Sequence, residues 1–389
     1  MKRMVFALAA LCVLATGCKE KKSDLVTDNV RNAGIQLKML LDTCEAGDTI
    51  RIPAGLREDG SYQFVGKRDW VSGFFAGELW LMYELTGEEA WAEHAARHTE
   101  NLSEIQFFTG THDVGFMVND SYGQGLRLKG TEAYKDVIVN TAKSLCTRFR
   151  PAAGILQSWN SRGGWQCPVI IDNMMNLALL FNATEISGDS TYYRIAVSHA
   201  DKTMENHFRE DGSSFHVVDY NPGTGEVNLK CTSQGHSDSS AWSRGQSWGL
   251  YGFTETYEHT GDRKYLEQAE RIAGFLLGKA AASDDLVPYW DYNAPDIPDA
   301  PRDASAGAIM ASALYELYTI TGKDLYRQRA DKLVESLSGP RYRAEPGTNG
   351  GFLLKHSVIS FPANSGVDVP LNYADYYFLE ALLRRRALK

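Results

Sequence analysis

The chain has 389 residues, 43% hydrophobic and 23% charged with 12 prolines, a globular composition rather than that of a disordered or collagen-like polymer. A formal charge of −9 excludes a nucleic-acid sleeve, because phosphate binding needs a broad basic surface that releases counterions. Any anionic ligand must instead be met by a local basic pocket, and length alone allows two or three domains or one closed barrel.

Residues 1–17 open with Lys2 and Arg3, run through apolar residues from Met4 to Leu14, and end in Ala15-Thr16-Gly17 before Cys18. This is the pattern of a secretory signal, too short to cross a membrane as a helix. The small residues before Cys18 resemble a bacterial lipobox, which makes Cys18 the lipidated first residue of the mature chain and 18–29 a polar tether. The expected location is the periplasm or cell surface of a Gram-negative bacterium, with the membrane met only through the lipid. A plain signal peptide with a chance cysteine is the alternative, and it too places the protein outside the cytoplasm. Cys12 is lost with the signal. Cys44, Cys146, Cys167 and Cys231 show no CxxC or metal-ligand spacing, which leaves open three disulfide connectivities or buried free thiols.

Further along, a glycine, three residues, an aromatic residue and an Ala- and Leu-rich stretch recur. Gly87 leads to Trp91, Gly130 to Tyr134, Gly188 to Tyr192, Gly261 to Tyr265 and Gly322 to Tyr326. Each glycine closes one helix, and the ring, one turn into the next, packs back across the hairpin. The spacings are too uneven for a stacked solenoid, whereas a closed ring tolerates unequal loops at one rim. With helices expected over Val30–Cys44 and Tyr373–Leu383, the pattern predicts an all-α fold: a single (α/α)6 toroid of six helical hairpins over 30–389, its active-site loops on one face. Gly73, Gly77, Gly245, Gly249, Gly252 and the run from Ala304 to Ala308 mark inner helices, which crowd around the axis; turns are the other reading of such clusters. The long segments 145–170, 207–243 and 280–303, rich in Trp, His, Asp and Ser, are expected to build the site.

Two carboxylates stand out. Asp113 lies between His112 and an apolar run. Asp172 opens a helix in which Ile171, Met174, Met175, Ala178 and Leu179 form a buried stripe. An aspartate flanked by isoleucines and methionines is partly desolvated, which raises its pKa and lets it keep a proton for acid catalysis. Asn176, one turn later, is placed to orient it. Helix capping is the plainer reading of both aspartates. In Ala241–Gly249, Arg244 and Trp248 fall one turn apart on one face, where a guanidinium can grip a carboxylate and an indole can stack on a sugar. An internal aspartate such as Asp238 is the alternative partner for Arg244. Trp70, Trp159, Trp165 and Trp290 are candidates for a carbohydrate cleft or for the core. The histidines lack an HExxH or comparable pattern, so no metal is expected. Without a Walker loop, a GxGxxG after a strand or a GxSxG elbow, no cofactor is expected either.

Through HDVGF, IIDNMMNL, SRGQSWGLYGF, PRDASA and the terminal LNYADYYFLEALLR, the chain resembles glycoside hydrolase family 88, the unsaturated glucuronyl hydrolases. The resemblance implies an enzyme that removes a C4=C5-unsaturated uronic acid from the non-reducing end of lyase-made oligosaccharides by hydrating the double bond. By similarity Asp172 is the proton donor and then the base that directs water, and Asp113 is the second essential carboxylate. His216, Gln234, Arg244 and Trp248 would contact the unsaturated uronyl unit, Trp159 would stack on its ring, and His112 and Trp70 would belong to the same pocket. The segment with Lys355, His356, Asn364 and Ser365 resembles the family's region beyond the first sugar, although Gly366 stands where an acidic residue is expected. Glycosaminoglycan fragments are the expected partners. The alternatives are pectin fragments, as for unsaturated rhamnogalacturonyl hydrolases, and a non-catalytic glycan-binding lipoprotein. An epimerase on the same toroid would lean on paired histidines rather than aspartates.

Overall fold

The computed structural model describes residues 24–280 and 283–388; the expected signal over 1–17, Cys18 and most of the tether lie outside them. In chain order the helices are α1 (Leu25–Cys44), α2 (Phe74–Thr86), α3 (Glu89–Glu100), α4 (Val114–Val118), continued by a π turn (Asn119–Gly123) into α5 (Gln124–Lys129), α6 (Glu132–Cys146), α7 (Leu177–Ser187), α8 (Ser190–Asn206), α9 (Ser243–Thr260), α10 (Arg263–Ala280), α11 (Ala304–Thr321), α12 (Asp324–Leu337) and α13 (Asn372–Ala387). Helices α2, α4–α5, α7, α9, α11 and α13 form an inner ring, which α13 closes by packing between α11 and α2. The rest lie outside it. Inner helices such as α2 and α11 are buried nearly all round, whereas an outer helix such as α10 buries one stripe (Tyr265, Ala269, Ile272, Ala273, Leu276) and faces water with the other. The architecture is the (α/α)6 toroid read from the sequence.

All five recurrent glycines end an inner helix. Their φ values lie between +64° and +73°, and each N–H bonds to the carbonyl four residues back at 2.7–2.8 Å. Glycine reaches this left-handed cap without a Cβ penalty, so the chain reverses in two or three residues and the aromatic residue that follows packs inward.

The opposite connections, from outer to inner helix, are long and carry every strand among the described residues. These are the antiparallel pairs β1 (Ile52–Leu56) with β2 (Tyr62–Val65) and β3 (Phe149–Arg150) with β4 (Ile155–Leu156), the three-stranded β5 (Pro168–Ile170), β6 (Val217–Tyr220) and β7 (Val227–Cys231), and β8 (Ser357–Ser360) with β9 (Ser365–Val369). Because chain reversals alternate between rims, all six inner segments run parallel, with their N-termini at the strand-bearing mouth.

Two expectations change. Helix α1 begins at Leu25, so 25–29 belong to the domain rather than the tether. Asn29 Nδ2 reaches Ser338 Oγ at 2.8 Å and Asn32 Nδ2 reaches the Ala344 carbonyl at 3.1 Å, so residues that look like polar linker are buried anchors. Helix α13 continues past Leu383 to Ala387. Cys44, Cys146, Cys167 and Cys231 are free thiols, three of them buried.

Close helix approach explains the inner glycines. A Cβ on Gly77 would fall 2.6 Å from the Asp120 carbonyl and 2.5 Å from the Tyr376 ring. Gly77→Ala gains about 1 kcal/mol of helix propensity but overpacks a junction backed by main chain, which costs about 1–3 kcal/mol. Net destabilisation in urea unfolding is expected, whereas Gly87→Asn, with open space around it, is expected to shift the midpoint little.

Candidate active site

The candidate residues gather where the inner helices begin. Trp70 precedes α2, Asp113 precedes α4, Asp172 precedes α7 and Arg244 lies in the first turn of α9. Asp172 sits in a 3₁₀ turn (Ile171–Asn176) whose cap position is Ile170, so Asp172 is not the cap residue. Capping therefore does not explain it. Its Oδ2 is buried and accepts no hydrogen bond among the described residues. Burial pushes the pKa up to about 7; the Arg244 guanidinium opposes this and the Asp113 charge adds to it.

His216 faces Asp172. Its Nδ1 accepts the N–H groups of Ser233 at 3.0 Å and Gln234 at 3.2 Å, which places the ring proton on Nε2, 3.8 Å from Asp172 Oδ2. Burial, reinforced by Arg244, holds this histidine well below its ordinary pKa and so neutral. A second pair lies alongside. His112 Nδ1 faces Asn176 Nδ2 at 3.3 Å, so its Nε2, 3.1 Å from Asp113 Oδ1, carries the proton. Burial lowers the pKa of His112 as well. Asp113 Oδ2 accepts from Thr111 Oγ1 at 2.6 Å, and although Asp113 heads α4 it caps none of its N–H groups. Asn176 does not orient Asp172 as expected: its Oδ1 accepts the Phe116 N–H at 3.0 Å, and its amide serves His112.

Arg244 is buried, and its partner is Asp303 at 3.3 Å rather than Asp238, which accepts the Thr232 N–H. Arg244 also donates to the Val358 carbonyl and, at 2.8 Å, to the Ile359 carbonyl, where Gln234 Nε2 converges at 2.9 Å. These bonds strap the β8–β9 hairpin across the mouth. Ser365 lies exposed where β9 begins, and His356 and Asp368, one on each arm, pair at 2.5 Å.

The tryptophans divide. Trp159 presents an edge to His216 with 6.0 Å between centroids, stacks on Trp165 at 5.9 Å and carries the Arg162 guanidinium 4.3 Å above its ring. Trp70 is half-buried against Phe116 and Tyr373. Trp248 is not a platform for a sugar: it is fully buried between Phe116 and Tyr377. Trp290 is likewise buried, stacked on Phe361 at 4.5 Å.

Sequence reasoning missed three charged residues here. Asp303 lies in the quoted PRDASA and carries a legible signal, a capping aspartate, since its Oδ1 accepts the Ser305 N–H at 3.0 Å. Asp69 is a third carboxyl near Asp113, its pKa raised by burial and by that charge. Arg148 holds the Thr109, Gln157 and Ser158 carbonyls, fixing the loop before Asp113 to the one bearing Trp159.

No protein-family model matches the chain. An unsaturated glucuronyl hydrolase of Formosa agariphila is 46% identical over 326 residues, covering 83% of this chain and 82% of its own. The chain belongs to the unsaturated glucuronyl hydrolases, glycoside hydrolase family 88. The unsaturated chondroitin disaccharide hydrolase of Streptococcus pneumoniae is 34% identical over 337 residues, with 84% of each chain covered. A solved unsaturated glucuronyl hydrolase described as specific for heparin superposes with a TM-score of 0.91 at 42% identity, covering 94% of this chain and 98% of that one.

Two outcomes follow for this unsaturated glucuronyl hydrolase. Asp172→Asn keeps the shape and removes the ionisation. The folded pKa of about 7 exceeds the ordinary 3.8, so the wild type loses stability as pH rises between those values. Thermal melts should coincide near pH 4 and favour the variant above pH 7. Asp303→Ala leaves Arg244 buried without its counter-ion and is expected to cost about 3–5 kcal/mol in denaturant unfolding, partly recovered by adding Arg244→Met.

Proposed function

We propose that this chain hydrates the C4=C5 double bond of the unsaturated uronic acid that lyases leave at the non-reducing end of glycosaminoglycan fragments. The observation that carries this reading is Asp172, a carboxyl whose unbonded oxygen is buried and whose pKa of about 7 keeps a proton available near neutrality. The names of the relatives, which act on unsaturated glucuronyl, chondroitin and heparin fragments, support the substrate class.

In this mechanism the π pair of the enol ether takes the Asp172 proton at C4, and positive charge develops at C5, shared with the ring oxygen. Asp113, held by Thr111 and 3.1 Å from His112 Nε2, supports that charge. Water adds at C5 and gives a proton to the Asp172 carboxylate, which faces the Nε2–H of neutral His216. The hemiketal then opens to a ketone at C5, and the hemiacetal left at C1 releases the remaining sugar as an alcohol. The substrate carboxylate is drawn to a mouth where six helix N-termini point. Trp159, Trp70 and Gln234 border the first sugar, Ser365 reaches the sugar beyond it, and Arg244 and Trp248 act from beneath by fixing the hairpin and the aromatic floor. The enzyme would work outside the cytoplasm, held by lipid on Cys18 through a short tether.

Ultraviolet absorbance of the conjugated double bond is expected to disappear with chondroitin, hyaluronan or heparin disaccharides and to persist with pectin-derived ones. Asp172→Asn should lower kcat by about 10²–10⁴. Because the donor must be protonated, kcat/KM should fall as pH rises through about 7. Binding without loss of absorbance, or a rate that climbs with pH across that range, would refute the reading.

A further inference from the structure

Towards the far mouth the toroid holds a cavity of about 460 Å³, lined by α5, α7, α9 and α13 together with the π turn after α4, with Met175 among its lining residues. It lies at the opposite end of the axis from Asp172, so the reaction proposed above does not use it. Its walls combine aromatic rings (Tyr251, Tyr376, Tyr377) with carboxyl groups. The cations there are already occupied. Arg384 lies 3.1 Å from Glu316 and 3.8 Å from Glu380, and Arg127 grips Glu84. His259 stacks on Phe181 and faces Glu185 at 3.5 Å, and burial keeps its pKa low.

Two carboxyls are left over. Asp120 is 7% exposed, receives the Tyr376 hydroxyl on Oδ1 only at 3.5 Å, and has no partner for Oδ2 among the described residues. Glu255, half-buried on α9, lies within electrostatic range of Arg384 and makes no hydrogen bond or ion pair among the described residues. The two lie within electrostatic range of each other and of Glu380. The buried, unpartnered oxygen of Asp120 is costly and becomes favourable when a cation supplies a partner, and half-buried Glu255 stands ready to share that cation. The setting has the same sign, because the carbonyl ends of six parallel helices point towards this mouth. No group of three or more metal-ligating side chains is arranged for a metal ion among the described residues. The lining of rings and aliphatic side chains suits an organic cation instead.

We propose that this cavity is a second binding site, for a small aliphatic amine whose ammonium group is met by Asp120 and Glu255. The aromatic walls take the alkyl body, and the volume falls in the range of small-molecule sites.

The test is isothermal titration calorimetry of the full folded chain with putrescine, with butanediol as the neutral counterpart and potassium chloride at matched ionic strength. Saturable binding of the diamine alone is expected. Asp120→Asn and Glu255→Gln should each weaken it at least about tenfold, the scale of one charge-assisted bond. Turnover at the catalytic mouth should stay unchanged in both variants and serves as the folding control; if Asp120→Asn does not fold, Glu255→Gln decides alone. Absence of saturable binding, equal binding of the diol, an equal response to potassium, or an affinity unchanged in the folded variants would overturn the proposal.

Discussion

All six inner segments point the same way, and this constraint governs where charge is tolerated in the molecule. An outer helix always returns to the same mouth before the next inner helix begins, so one opening collects helix N-termini and the other collects carbonyl ends. An anionic sugar suits the first. Asp172, the proton donor proposed for it, is shifted towards its neutral form there because apolar neighbours deny its carboxylate water, even though Arg244 favours the ionised form. Desolvation wins because Asp172 Oδ2 has no donor to repay its burial.

The site is rigid because its polar groups are tied to main chain. Arg244, Gln234 and Arg148 spend their donors on carbonyls of β8–β9 and of the loops around Thr109 and Ser158. Both histidines have Nδ1 engaged by a donor, from main chain at His216 and from Asn176 at His112, so each turns Nε2–H towards an aspartate. A neutral ring whose Nδ1 accepts from a fixed donor holds one tautomer without a metal or a counter-charge. Segments from different hairpins are thus locked in register at the mouth, where regular secondary structure is sparse.

What was legible in the sequence was local. The glycine turns could be read because a left-handed cap is a property of a few consecutive residues, and the ring followed from their alternation with small-residue helices. The desolvation of Asp172 could be read because Ile170, Ile171, Met174 and Met175 are its sequence neighbours. The pairs that were misassigned or missed join distant positions. Arg244 finds Asp303 rather than Asp238, and Asn176 serves His112 and Phe116 rather than its own turn. One-turn spacing on a helix places Arg244 and Trp248 on a common face, but it does not say whether that face meets a ligand or another helix. For Trp248 it meets Phe116 and Tyr377. The start of α1 was hidden for a related reason, since Asn29 and Asn32 are polar residues whose partners lie about 310 positions away.

Among the described residues the strands occur only in the outer-to-inner excursions that link successive hairpins, while the glycine turns join the two helices of each hairpin at the other rim. Helix reversal and glycan contact are therefore assigned to opposite edges of the same wheel. Lineages can lengthen, trade or trim the excursions that meet a glycan and leave the turns that set the helix register untouched, so diversification towards new oligosaccharides need not be purchased with loss of foldability.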